Sequence, residues 1–290
     1  MSAEIEKSWG VPIQSDGTQQ EWRKDRFAFY LFMGILVVIV VGVPLFSYFY
    51  DFSWLDWTLF GILYVVTGLG ITVGYHRLLS HRSFTCASPV KVALLIAGAW
   101  ALENSAFKWC SDHVRHHARV DQQEDPYNAK KGFWYSHVLW IFSKSPYISE
   151  KYLAPFRKDK LIMWQYKYYV PILLSGLLLP AIIGYIHRGW VGFLSAFLLA
   201  GVLRTFLVLN STFCINSICH MWGNQPYSDQ NSSRDSWWIS LITFGEGYHN
   251  YHHAYPRDYR NGPAWYNFDP SKWLIYSLSL IGLVRTEPGN

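Results

Sequence analysis

FAFYLFMGILVVIVVGVPLFSYFY, residues 27–50, runs without a charged side chain. At 1.5 Å per residue a helix of this length crosses a hydrocarbon core of ~30 Å. The run therefore predicts a transmembrane helix. Residues 54–75 (WLDWTLFGILYVVTGLGITVGY) repeat the pattern with one acid, Asp56, near one end, and the short DFS link makes the two segments an antiparallel pair. A second pair follows at residues 168–186 and 190–215, joined by HRG. Four spans are expected. Two shorter apolar stretches, residues 90–102 and 272–284, fall short of a crossing and are expected as interfacial or core helices.

Composition agrees with a membrane protein. The chain of 290 residues is 51% hydrophobic and only 16% charged, too little polar surface for a soluble domain of this size. The first apolar run starts late and is too long for a signal peptide. Lys and Arg set the orientation: residues 76–167 hold fourteen, the tail before residue 27 holds four and the segment after 215 holds five, whereas the short links contribute only Arg188. By the excess of basic residues on the inner side, both termini and the long middle segment are cytoplasmic. That divides the chain into a cytosolic tail (1–26) and a membrane domain (27–290), whose cytosolic parts are residues 76–167 and 216–290. The net charge of +5 suits a face that meets anionic lipid or a phosphate-bearing ligand. No recognition motif for nucleic acid accompanies it. The four cysteines (Cys86, Cys110, Cys214, Cys219) form no CxxC pair, so disulfide, thiolate-zinc and iron–sulfur frameworks have no support.

Histidine carries the chemistry. HRLLSH holds His76 and His81, SDHVRHH holds His113, His116 and His117, and GYHNYHH holds His249, His252 and His253. On a helix, positions i, i+3 and i+4 fall within about one 100° arc, so each HxxHH box is expected to aim three imidazoles at one point. His76 and His81 would point ~140° apart on a straight helix. The helix is expected to bend or end between them. All three boxes lie on the predicted cytoplasmic side, and eight imidazoles gathered there call for metal. They exceed one ion's needs, so two ions are implied.

A carboxylate-bridged di-iron bundle would show Glu-x-x-His twice. Only Glu246 followed by His249 fits, since Glu103 and Glu124 have no histidine three residues on. Glu246 is read instead as a residue that orients an imidazole through its other ring nitrogen, and Asp112, Asp121, Asp125 and Asp258 are open for the same role. A metal cluster at the end of apolar helices faces an apolar substrate. Taking hydrogen from an unactivated methylene needs an oxidant made from O2 by a redox metal, which favours iron over zinc. No NAD or flavin fingerprint is present, so the electrons must come from a separate carrier.

HRLLSHRSF, DHVRHHARVDQQEDPYN, KKGFWYSH, NSICHMWG and GEGYHNYHHAYP together resemble the membrane fatty acid desaturases, and most the acyl-CoA Δ9 (stearoyl-CoA) branch, over roughly residues 25 to 285. The resemblance implies an all-α integral membrane protein of four transmembrane helices under a cytosolic helical cap that holds a histidine di-iron site. It implies a cis double bond placed between C9 and C10 of a saturated C16–C18 acyl-CoA chain, with O2 and two electrons from a cytochrome b5, ferredoxin or rubredoxin type of donor. It makes all eight box histidines iron ligands, adds His220 as a ninth, and has Asn216 reach an iron through water. Tyr64 resembles the residue that closes the acyl tunnel, Trp109 and Thr212 those that shape its bend, and Asn104 and Asp112 those that contact the CoA part. Glu103 stands where the family has Gln, and Ser111 where that branch has Arg. Lys130 and Lys131 are within reach of the CoA phosphates in this reading but are taken first as a solvated or lipid-facing pair, and Arg204 within the fourth span as structural or directed to the head-group side. His137 and His187 fall outside the ligand set. An acyl-lipid substrate, another regioselectivity, a di-iron hydroxylase or alkane monooxygenase, and a metal transporter are the alternatives. The last would need polar positions inside the spans. The short termini favour a bacterial inner membrane over the endoplasmic reticulum.

Overall fold

The structure is a computed structural model that describes residues 23–144 and 150–286. Residues 1–22, most of the expected tail, lie outside the described residues. Three helical stretches are long and apolar enough to cross a membrane: α1 (Arg26–Phe49), α2 (Trp54–Ser80) and α8 (Tyr169–Met221). Between α2 and α8 come α3 (Ser88–Ala99), α4 (Ala106–Arg119), α5 (Phe133–His137), α6 (Glu150–Arg157) and α7 (Lys160–Lys167), and after α8 come α9 (Ser240–Thr243), α10 (His249–Ala254) and α11 (Pro270–Leu280). The protein is a helical membrane protein.

The third stretch is not straight. Arg188 and Gly189 leave helical dihedrals, with Gly189 at φ +60°, so α8 folds back on itself in two arms at the HRG link. The arms meet at Gly184 and Gly192: a Cβ on Gly184 would lie 2.1 Å from the Gly192 carbonyl oxygen. Only hydrogen is small enough there. At the same end of the molecule Ser53 and Asp56 form a capping box on α2, and Asp56 also accepts from Ser195 Oγ (3.1 Å) and lies 3.6 Å from Arg188. The two helical pairs are fastened by one buried acid.

Of α1, only Phe46 is buried, while Phe27, Tyr30, Val37, Val40, Val41 and Leu45 are exposed, as suits a surface solvated by lipid. Its pairing with the rest includes a two-residue strand, β1 (Arg23–Lys24), antiparallel to β3 (Ser143–Lys144). Two further short strands, β2 (Phe84–Cys86) and β4 (Val284–Thr286), return the C-terminal segment to the stretch just after His81.

The two shorter apolar stretches are resolved differently. The first becomes α3, a core helix whose Leu94, Leu95, Ala97 and Ala99 are buried. It crosses α2 so closely that a Cβ on Gly70 would meet the Gly98 nitrogen at 2.4 Å. The second becomes α11, which buries Lys272 and Ile275 and exposes Trp273, Tyr276 and Leu280. Arg204, fully buried within α8, has no acid on it in the described contacts: it donates to the carbonyls of Ala200 (3.1 Å), Trp100 (2.7 Å) and Gly176 (3.3 Å). Its role is structural, since it joins the end of α3 to both arms of α8.

Both α2 and the second arm of α8 run past the expected ends, to Ser80 and Met221. The extra turns matter because they carry His76, Asn216 and His220.

Candidate metal centre

The last part of α2, Gly70–Ser80, is wound as a π-helix, and His81 follows as its C-terminal cap. The His81 N–H donates to the His76 carbonyl (3.1 Å), the i→i+5 bond of that winding. The helix does end between the two histidines, as expected, but no bend is needed: the wider turn brings positions i and i+5 together, with ring centroids 4.7 Å apart.

Nine histidines form two groups, each with its ligand atoms within 4.8 Å of one another: His76, His81, His113, His117 and His252 in one, and His116, His220, His249 and His253 in the other. Each HxxHH box was expected to aim at one point, and the structure corrects this. His113 and His117 join the first group and His116 the second, while His249 and His253 join the second and His252 the first. The cause is helical phase. At 100° per residue, i and i+4 lie about 40° apart, whereas i+3 lies about 60° to the other side of i. A box thus serves both groups.

The Nε2 atoms converge. His76 and His117 both place Nε2 3.0 Å from Nε2 of His252, and His220 and His253 both place theirs 3.1 Å from Nε2 of His249. One ring nitrogen carries one proton or one lone pair, so protons cannot satisfy such three-way contacts. The outer nitrogens sharpen the point. His116 Nδ1 lies 2.8 Å from Asp125 Oδ1, and His220 Nδ1 lies 2.8 Å from Ser232 Oγ, which donates to Asp121 Oδ1 (2.5 Å). A proton on Nδ1 leaves Nε2 as a bare lone pair aimed inward, and the buried His116 Nε2 has no hydrogen-bond partner among the described residues. Lone pairs converging at 3 Å fit a cation between them.

Burial, and then the neighbouring imidazoles, hold His81, His113, His117, His249, His252 and His253 well below the usual histidine range. They are neutral at pH 7 and able to ligate. Of the carboxylates open for orienting roles, Asp125 stands behind His116 and Asp121 behind His220 through Ser232. Glu246 Oε2 faces Nδ1 of His76 at 2.9 Å, rather than an imidazole of its own box. Burial works against its charge, but the Arg77 guanidinium and the facing His76 ring nitrogen hold its carboxyl below the usual range. Asp112, expected both behind an imidazole and against a head group, instead accepts from Lys108 Nζ (2.7 Å) and Arg115 Nη2 (3.1 Å). Asp258 pairs with Arg260 and Tyr251.

A cavity lies against both groups. Ile71, Thr72, Trp109, Thr212, Ile215 and Asn216 line it together with His76, His113, His116 and His249. Trp109 stacks on His113 (centroids 4.9 Å, 16°). Its Nε1 donates to Glu103 Oε2 (3.0 Å), and Thr212 Oγ1 donates to Glu103 Oε1 (2.7 Å). Glu103 thereby joins two cavity walls, and burial pushes its carboxyl up to about 7. Tyr64 lies away from this lining: its hydroxyl donates to the Ile242 carbonyl (3.0 Å) and its ring packs on Phe60 and Phe244. Asn104 is exposed, with its backbone N–H on the Tyr169 hydroxyl (3.2 Å). His137 turns Nδ1 to Ser217 Oγ (3.0 Å), and His187 packs near Trp54 at the far end of α2; neither joins a group.

Arg77, Asn261 and Asp269 were not anticipated. The sequence carried only a faint signal for them, an arginine beside His76 and an acid before a proline at a helix start.

The sequence signature described as fatty acid desaturase matches residues 52–275. A probable acyl-CoA desaturase of Schizosaccharomyces pombe is 37% identical over 98% of this chain and 61% of its own length. Acyl-CoA desaturase 1 of Saccharomyces cerevisiae is 39% identical over 85% of this chain and 50% of its own. The sn-2 palmitoyl-lipid 9-desaturase of Nostoc is 35% identical over 88% and 87%. The chain thus spans between half and three fifths of the two yeast proteins.

Proposed function

We propose that this chain, which belongs to the fatty acid desaturase family, is a Δ9 acyl desaturase that places a cis double bond in a saturated C16–C18 acyl chain, with acyl-CoA as the preferred carrier. One observation carries the reading: two histidine groups open onto one cavity with apolar walls, at the end of apolar helices. In this reading α1, α2 and the two arms of α8 make four crossings, and the segments around the histidines form a cytosolic cap.

The two groups would each hold one iron ion, five imidazoles on one and four on the other, with Asn216 completing the second through water. When bound, the irons supply the O2-derived oxidant for an unactivated methylene pair, with two electrons from an external carrier. The protein's own part is placement. Burial keeps His81, His113, His117, His249, His252 and His253 unprotonated, so no proton competes for their lone pairs. Trp109 and Thr212, tied through Glu103, narrow the cavity beside His113 and limit which methylene pair can approach. Tyr64 would act further along the chain path and Asn104 at the head-group end.

The names of the relatives support the acyl-CoA choice in two cases and an acyl-lipid substrate in the third. Relatives from two yeasts do not favour the bacterial inner membrane expected from the sequence. The test is mass spectrometry of total fatty acids, with double bonds located by derivatisation, in cells expressing the protein. New cis-9 monoenes are expected with the intact chain and not with His253→Ala. Hydroxylated chains would assign it to hydroxylation instead.

A further inference from the structure

A buried chain of charged side chains ties the C-terminal segment to the end of α2. Asp269 is fully buried and caps α11, accepting from the Lys272 N–H (3.0 Å). Its Oδ2 also accepts from the N–H groups of Asn261 (2.9 Å) and Gly262 (3.2 Å). Arg77, 1% exposed, stands between two acids: Nη1 lies 3.0 Å from Asp269 Oδ1, Nη2 donates to Glu246 Oε1 (3.0 Å), and Nη1 also donates to the Tyr259 carbonyl (2.7 Å). Glu246 turns its other oxygen to His76 and accepts there from Asn261 Nδ2 (2.6 Å).

Two carboxylates flank the Arg77 guanidinium in a place closed to water. Lys272 Nζ does not ion-pair with either acid; it donates to the carbonyls of Gly262 and Ala264, at 2.6 Å each. The chain ends with the Glu246 carboxylate behind Nδ1 of His76, at 2.9 Å, where it orients the ring that presents Nε2. The four-histidine group receives its support elsewhere, from Asp125 and from Ser232 with Asp121.

We propose that Asp269 is a positioning residue for the five-histidine group, acting through Arg77 and Glu246 on His76, so that docking of residues 259–272 and retention of the metal there are one event. The proposal rests on the reading of the histidine groups as metal sites. It predicts asymmetry. A merely structural Asp269 would weaken both groups together, because α4 and α10 serve both.

The experiment is metal analysis of the purified, iron-loaded protein, followed by competition with a chelator. Wild-type protein is expected to hold two ions per chain. In Asp269→Asn one of the two should be bound about 10- to 100-fold more weakly while the other stays as in wild type. Asn261→Ala removes only a donor to Glu246 and should give the same one-ion asymmetry at smaller amplitude. It is informative even if Asp269→Asn fails to accumulate. Equal weakening of both ions, or wild-type retention of both, in either variant overturns the proposal. Wild-type protein that holds no ions would overturn the metal-site reading itself, a result visible before any variant is compared.

Discussion

The two histidine groups draw on the same two short helices but hang from different walls. The five-histidine group begins on α2, at His76 and His81, and is backed by Glu246, Arg77 and the buried C-terminal segment. The four-histidine group begins on the last turn of α8, at His220, and is backed by acids of the loop after α4. Each therefore joins a long apolar helix to α4 and α10, one backed by an ionic chain and the other by single hydrogen bonds. Shared ligand helices force the two sites to form together, and separate backing leaves room for their affinities to differ.

The largest expected effect comes from neighbours on one helix. His252→Ala removes a ligand atom from the first group and His253→Ala from the second. Each should reduce turnover to background, measured as cis-9 monoene in whole-cell fatty acids, while membrane insertion is kept. If either variant stays active, the two groups are not equivalent partners in one centre.

A smaller effect is expected at Glu103, whose partner Trp109 stacks on the first group alone. Its raised carboxyl pKa, about 7, means that the folded state holds its proton above the pH at which the unfolded chain releases it. This term is harmless below about pH 4 and costs stability progressively as pH rises toward and through 7. Glu103→Gln can still accept from Trp109 and can donate to Thr212, so it should stay active. Its melting temperature should lose less than that of wild type between about pH 5 and pH 8. Parallel melting curves for the two proteins would mean that Glu103 is ionised throughout.

The smallest effect is expected at Tyr64, which touches neither group. Tyr64→Ala loses a hydrogen bond to Ile242 and a ring from the Phe60–Phe244 stack, so it should shift the accepted chain length upward with turnover largely kept. An unchanged chain-length profile would leave Tyr64 as a packing residue only.

Much of this was legible from sequence because hydropathy and histidine count are local properties. The apolar runs gave the crossing helices, and the eight box histidines were all found. Partition between the two groups was not legible, since it follows from helical phase, which shows only when the boxes face each other. Asp125 and Asp112 are chemically identical in sequence. One stands behind an imidazole and the other beside Lys108 and Arg115, and tertiary placement alone separates them. His220 needed the likeness to a family, because a single histidine at a helix end has no spacing to read.

The π winding at Gly70–Ser80 has a consequence for how the chain can vary. Such a winding amounts to an α-helix with a residue to spare, and the spare residue offsets the rotation of everything beyond it. The half of α2 below it can therefore be rotated to suit its helical neighbours without dictating where His76 and His81 point. Deleting one residue within 70–75 would remove that offset and turn His76 and His81 together, out of phase with the half of the helix below. Substitutions lower in the helix would leave them aligned. The segment works as a coupling between two gears, one meshed with the neighbouring helices and the other with the histidine groups.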